Sequence, residues 1–293
     1  MKTFKSILSA VLSVIIFISG FVFIAAGILN YTLFNVNFYT SRITDNEYSD
    51  ILYNSVSEEI NKRINTIQIS QEGVMSVIDK NELNRMSESI VSDITEYILH
   101  RTEYKPVRYE NKSLKETIEK ELNAFAAEHN MTVQEGSVDE IYKFVTDIIS
   151  SEINLIHKSY LDKIPPLEKY VRAAGFYYIF IIITAICSAA VLIINRKNIL
   201  KGLYAVLSPL WIANCAVFIP AVMFSIYDFP PRIALAESPL KLFISNTIYG
   251  FTGIVCTVTG VILTVLTLAL AANIFFVVRK GAASKRRRSS LNE

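Results

Sequence analysis

The chain has 293 residues, 52% of them hydrophobic and only 19% charged, with a formal net charge of +2. Its apolar residues form long runs rather than alternating with charge, which excludes an ordinary soluble domain and indicates a membrane protein. The small net charge hides a segregation. Residues 36–170 hold 15 Lys/Arg and 24 Asp/Glu, whereas segments 1–6, 195–202 and 279–293 together hold 11 Lys/Arg and one acid, Glu293.

In chain order, the first element is an apolar run from Ile7 to Phe34, with no charged residue between Lys5 and Arg42. A helix needs ~20 apolar residues to cross a ~30 Å hydrocarbon core. The run exceeds the ~7–15 residues of a signal-peptide apolar region, so an uncleaved anchor within residues 1–35 is expected. Cleavage would leave three spans and the same sidedness.

Residues 36–170 read as amphipathic helices. Tyr48, Leu52, Val56, Ile60 and Ile64 form one stripe, and a short turn around Val74–Ile78 follows. Leu83, Met86, Ile90, Ile94, Tyr97 and Ile98 form a second stripe. Leu114, Ile118, Leu122 and Phe125 form a third, after a loop at Pro106. Val138, Ile141, Val145, Ile148, Ile149 and Leu155 form a fourth. Thr44 with Glu47, Ser113 with Glu116 and Ser137 with Glu140 have capping-box spacing, and Asp79 with Glu82 has it without the hydroxyl. An even number of helices returns the chain to its entry side, so a four-helix bundle is expected. This arrangement resembles, in architecture alone, the four-helix periplasmic domains of bacterial chemoreceptors, which also sit between two spans. No receptor signalling segment follows, because the longest expected cytoplasmic piece is residues 279–293.

Pro165 and Pro166 break the chain ahead of a second span, placed at 171–195. A cytoplasmic loop at 196–202, a third span at 203–227, a loop at 228–242 and a fourth span at 243–278 follow. Lys2, Lys5, Arg196, Lys197, Lys201, Arg279 and Lys280 fall on one side of this alternating path, which the positive-inside bias makes cytoplasmic. The expected fold is thus an all-α membrane protein: four transmembrane helices, with an extracytoplasmic helical bundle inserted between the first and second. Both termini are expected in the cytoplasm of a multi-pass cell-membrane protein. The fourth span is over-long for a bilayer at ~1.5 Å per residue: with Arg279 pinning the inner end, its outer turns are expected to emerge and meet the outer domain, and strong tilt is the alternative.

The fourth span also carries a pattern. Asn246, Gly250, Gly253, Thr257, Gly260, Thr264 and Thr267 alternate spacings of four and three, which puts small or weakly polar residues on one seam. Such seams let helix backbones approach closely. Two readings stand: packing within one chain, ranked first, and a homo-oligomer interface. Ser6, Ser13, Gly20 and Gly27 make a fainter seam in the first span.

The spans hold no Asp, Glu, Lys, Arg or His away from their ends, which counts against ion-coupled transport and intramembrane proteolysis. Asn214, Ser208, Thr257 and Thr264 suit helix packing better than a polar path. Cys187, Cys215 and Cys256 lie in apolar runs and suggest no disulfide framework. His100, His129 and His157 are 29 and 28 residues apart and form no metal-ligand pair. No nucleophile elbow or phosphate loop occurs, so no catalytic residue, metal or cofactor is assigned. The acidic outer segment argues against nucleic acid as a partner. Lys285, Arg286, Arg287 and Arg288 are first a topology signal and second a contact for anionic lipid headgroups. The expected role is a non-enzymatic sensor, accessory or assembly subunit that binds another membrane or extracytoplasmic protein, or a ligand. An oligomeric channel subunit joined through the fourth span and an outer-leaflet enzyme rank below it.

Overall fold

The computed structural model describes residues 2–44, 46–64, 69–228 and 238–289, with side chains for all of these except 2, 3, 46, 64 and 281–289. Twelve α-helices follow in chain order among them: α1 (Lys2–Tyr31), α2 (Val36–Thr40), α3 (Asn46–Ile64), α4 (Gln71–Met75), α5 (Lys80–His100), α6 (Lys112–Glu128), α7 (Ser137–Ile153), α8 (Lys158–Leu161), α9 (Glu168–Gly175), α10 (Tyr177–Ile194), α11 (Ile199–Ile226) and α12 (Pro239–Ser289). No strand occurs among the described residues. Four stretches are long and apolar enough to cross a membrane: Phe4–Tyr31, Glu168–Ile194, Arg196–Ile226 and Pro239–Lys280.

The chain divides into two compact units. The first comprises Met1–Phe34, Lys169–Phe229 and Tyr249–Glu293. Within it α1 packs against α10 and α11. Its apolar contacts form two small clusters, one of Ile16, Cys187, Val191 and Val206, the other of Ile24, Ile28 and Val255. Hydroxyls close the remaining gaps between helices. The Ser13 hydroxyl donates to the Ala205 carbonyl (2.8 Å), and the Ser19 and Thr184 hydroxyls bond to each other (2.7 Å). A Cβ added at Gly20 would stand 2.9 Å from Leu210 Cδ2. The faint seam of the first span is therefore an internal contact face at Ser13 and Gly20, where small side chains let α1 and α11 approach. Pro209 and Pro220 sit inside α11. Membrane helices tolerate such prolines where neighbouring groups take up the freed carbonyls.

The second unit comprises Asn35–Glu168 and Pro230–Ile248. Here α3 packs on α5 and α7, α7 also on α6, and α2 on α5. One core joins them. Tyr48, Leu52, Val56 and Ile60 of α3 are fully buried, together with Ile90 of α5, Leu114 and Ile118 of α6, and Val145 and Ile149 of α7. Each such aliphatic side chain contributes roughly 1.5–3 kcal/mol through burial. Between α5 and α6 the chain has no regular secondary structure and is pinned along α7. Asn154 Oδ1 accepts from Val107 N–H (3.0 Å), and Asn154 Nδ2 donates to the Val107 carbonyl (2.7 Å). The Ser150 hydroxyl accepts from Tyr109 N–H (2.9 Å), and Tyr142 Oη accepts from Asn111 N–H (3.2 Å). Polar side chains of α7 thus satisfy backbone that has no helical partner of its own.

The helix starts differ from the capping-box expectation. Asn111, not Ser113, caps α6: its Oδ1 accepts from Leu114 N–H (3.2 Å), while its Nδ2 donates to the Val77 carbonyl and to Tyr109 Oη. Those extra partners start α6 ahead of Ser113. Helix α7 begins at Ser137 itself, after Gly136 with φ 88°, and no side chain caps it. The Thr44 hydroxyl donates to the Ser41 carbonyl, and the start of α3 adjoins residue 45, outside the described residues. Asp79 does cap α5, accepting from Asn81 N–H (2.8 Å).

Helix α12 is longer than the fourth span read from sequence. It begins at Pro239, suited to a first helical position, after Ser238, whose hydroxyl accepts from Lys241 N–H (3.3 Å). Its 51 residues make ~76 Å at ~1.5 Å per residue. Residues up to Ile248 belong to the second unit, where Leu242 and Phe243 pack on the core.

Candidate functional site

Within the first unit, α12 meets α11 through three side-chain hydrogen bonds. Asn214 Nδ2 donates to the Thr259 carbonyl (2.7 Å), Trp211 Nε1 to the Thr267 hydroxyl (2.9 Å), and Asn273 Nδ2 to the Leu200 carbonyl (3.0 Å). Among the described residues of α12 in the first unit, Thr252, Val255, Thr259 and Asn273 are buried. The small-residue seam occupies different positions. Gly253, Thr257 and Thr264 are exposed, and nothing lies within 4 Å of a Cβ added at Gly253. The Thr264 hydroxyl turns back to the Gly260 carbonyl (2.8 Å). Gly250 and Gly260 are half-buried, the latter with Phe218 3.7 Å from an added Cβ. Thr267 is exposed, holding the Trp211 bond. Asn246 lies in the second unit and donates to the Arg42 carbonyl (3.5 Å). Only 6% of the most apolar stretch of α12 is buried, against 22% for α1 and for α11.

At the far end of the same two helices lies an open cavity of about 710 Å³. It is lined by Lys197, Asn198, Leu200, Lys201, Tyr204, Asn273, Ile274, Val277 and Lys280. The turn Arg196–Asn198 and the start of α11 supply one wall, and the end of the described part of α12 supplies the other. A shallower hollow shares Leu200 and Lys280 and adds Phe276 and Arg279. Asn273 is 4% exposed, and its Oδ1 has no hydrogen-bond partner among the described residues. Sequence reasoning used Lys197, Lys201 and Lys280 only as a sidedness signal and passed over Asn273. A lone Asn in an apolar run, 16 residues before the end of the helix that carries it, was the available cue. Lys285, Arg286, Arg287 and Arg288 fall within α12, with their side chains outside the described residues.

The second unit has two cavities of its own. One is apolar, about 100 Å³, and is walled by Tyr39, Ile94, Ile98, Leu155, Leu167 and Phe243 among others. Burial pushes the Tyr39 phenol up to about 12. The other is a polar groove of about 500 Å³ lined by Asn54, Ser55, Glu58, Ser238, Lys241 and Ser245 with two apolar residues. Deeper in the core, burial raises the Tyr48 phenol above its ordinary range, and Ser87 opposes the shift without reaching hydrogen-bond geometry. Among the described residues, no group of three or more His, Cys, Asp or Glu side chains gathers in a metal-binding arrangement. His129 instead stacks on Phe125, and His157 caps α8.

No protein-family model matches this chain, and no curated protein or solved structure shows significant similarity to it.

Proposed function

We propose that this is a multi-pass cell-membrane protein with both termini in the cytoplasm. Its second unit would be an extracytoplasmic helical bundle inserted between the first and second spans, binding a partner protein or ligand outside. The role is non-enzymatic: a sensor, accessory or assembly subunit whose four spans anchor the bundle or relay its state to another membrane protein. The carrying observation is the union of an independently packed core with the net acidity of residues 36–170, set against a membrane unit whose only carboxylates are Asp228 and Glu293. The Lys/Arg segregation supports the orientation. In-cell crosslinking from exposed positions of the second unit, such as Glu119 and Lys143, read by mass spectrometry, should capture a defined protein. Turnover of a lipid or cell-envelope substrate by the purified chain would overturn the reading.

A second reading has its own support. Helix α12 is the least covered of the four, and its Gly253–Thr257–Thr264 face is open. That favours a homo-oligomer packed through this face, as in a channel or transport subunit. Gly253→Leu should then lower the oligomeric state in detergent without lowering helicity. An unchanged assembly would remove this reading.

A further inference from the structure

The inner cavity between α11 and α12 has three features that point to one ligand chemistry. The first is charge. Lys197, Lys201 and Lys280 line it, and Arg279 borders the adjoining hollow. No described carboxylate pairs with these groups, and the sequence has none between Lys169 and Tyr227 or between Ser238 and Asn292. No described residue of the membrane unit therefore supplies their counter-charge. The second is apolar flanking. Ile274 and Val277 are about half exposed beside the lysines, and Leu200 continues the wall. A soluble anion gains nothing from these side chains, whereas acyl chains do. The third is the orphan acceptor. Asn273 Nδ2 is committed to the Leu200 carbonyl, which fixes the amide orientation and leaves Oδ1 facing no donor. An acceptor so buried lacks the bond that most such groups have. An ionised phosphodiester has no proton to supply it, but a hydroxyl does.

We propose that this cavity binds the headgroup of an anionic phospholipid that also bears free hydroxyls, of the phosphatidylglycerol kind. The lysines hold the phosphodiester, a headgroup hydroxyl donates to Asn273 Oδ1, and the acyl chains run along Ile274 and Val277. Oδ1 is itself buried, so the headgroup hydroxyl reaches it only as the cavity wall opens on binding. Asn198 caps α11 by accepting from Lys201 N–H, so the positive end of the helix dipole adds to the same field. The inference rests on the reading that these four helices cross a membrane. It is separate from any lipid contact made by Lys285–Arg288.

The test uses the full chain purified in a neutral detergent, with lipid binding read by native mass spectrometry. Phosphatidylglycerol should bind about fivefold more tightly than phosphatidylmethanol, which keeps the phosphodiester charge but lacks the hydroxyls. Phosphatidylcholine should be weaker still. Lys201→Gln and Lys280→Gln should each weaken phosphatidylglycerol by about fivefold. A quadruple Gln replacement of Lys285, Arg286, Arg287 and Arg288 should leave the preference over phosphatidylmethanol intact. Equal binding of phosphatidylglycerol and phosphatidylmethanol by the unaltered chain would overturn the proposal, whatever the variants do. So would loss of the preference in the tail variant, or displacement of the lipid by equimolar glycerol 1-phosphate, which would identify a site for a soluble anion.

Discussion

The two units of this chain distribute the same kinds of side chain in opposite ways. In the second unit, Leu52, Val56, Ile60, Val145 and Ile149 are fully buried and the charged residues face out. In the first, Ile18, Ile182, Val261, Val265 and Leu268 are more than half exposed, while Ser19, Asn214, Thr259 and Asn273 are buried. Each pattern fits one solvent. Water rewards the burial of apolar area, so the second unit needs a continuous core. Lipid offers no such reward between helices, so the first unit is joined through small residues and hydroxyl or amide bonds. The difference also separates the two helix seams. Ser13 and Gly20 are used up inside the unit, whereas Gly253 and Thr257 face out.

The sharpest way to break this comparison is a core truncation in the second unit. Leu52→Ala should destabilise it by about 2–5 kcal/mol. Hydrogen exchange of the full chain in detergent should then show faster exchange in α3, α5 and α7 while α1 stays protected. Equal loss in α1 would show that the units are not separable. A smaller effect is expected from crowding the inner seam. Gly20→Leu drives a side chain into Leu210 and should cost about 1–3 kcal/mol, read as a lower unfolding temperature. Gly253→Leu should leave that temperature unchanged, since its Cβ meets nothing.

A still smaller change is expected at Tyr48, whose hydroxyl is buried without a partner. Tyr48→Phe removes only that unsatisfied group and should be neutral or stabilising by up to about 1 kcal/mol. The phenol's folded value lies above the unfolded ~10, so it carries no penalty below that pH. Above it the unfolded phenol ionises first, and stability falls as pH rises. Denaturation of the second unit between about pH 10 and 11 should therefore flatten in the Phe variant. The smallest effect belongs to Asn214→Leu. It loses the bond to Thr259 but also removes an unpaired Oδ1, so a change of about 0.6 kcal/mol or less is expected in a reversible unfolding titration.

The four apolar helices were legible because a membrane imposes length and composition on any segment that crosses it. The stripes of α3, α5 and α7 were legible because helical periodicity selects a buried face. The caps were not. Ser113 had the right spacing, but Asn111 gained bonds to Val77 and Tyr109 that only the folded chain supplies. The orientation of the α12 seam was equally hidden. Periodicity reveals that small residues share a face, but not which neighbour, if any, that face meets. The inner cavity was missed for a related reason. Lys197 and Lys280 are 83 residues apart in sequence and share a surface only once α11 and α12 pair.

The make-up of the second unit has a consequence for how the chain is made. Its core is completed by Leu242 and Phe243, which belong to the start of the last apolar helix. They are translated about 75 residues after Glu168, a delay of roughly 4–15 s at ordinary elongation rates of ~5–20 residues per second. Throughout that interval two further long apolar helices are made while the nascent unit lacks the Phe243 side of its apolar cavity. Completion of this core therefore waits on synthesis of the third apolar helix, and a chain stopped short of Leu242 would leave that side of the core unfilled.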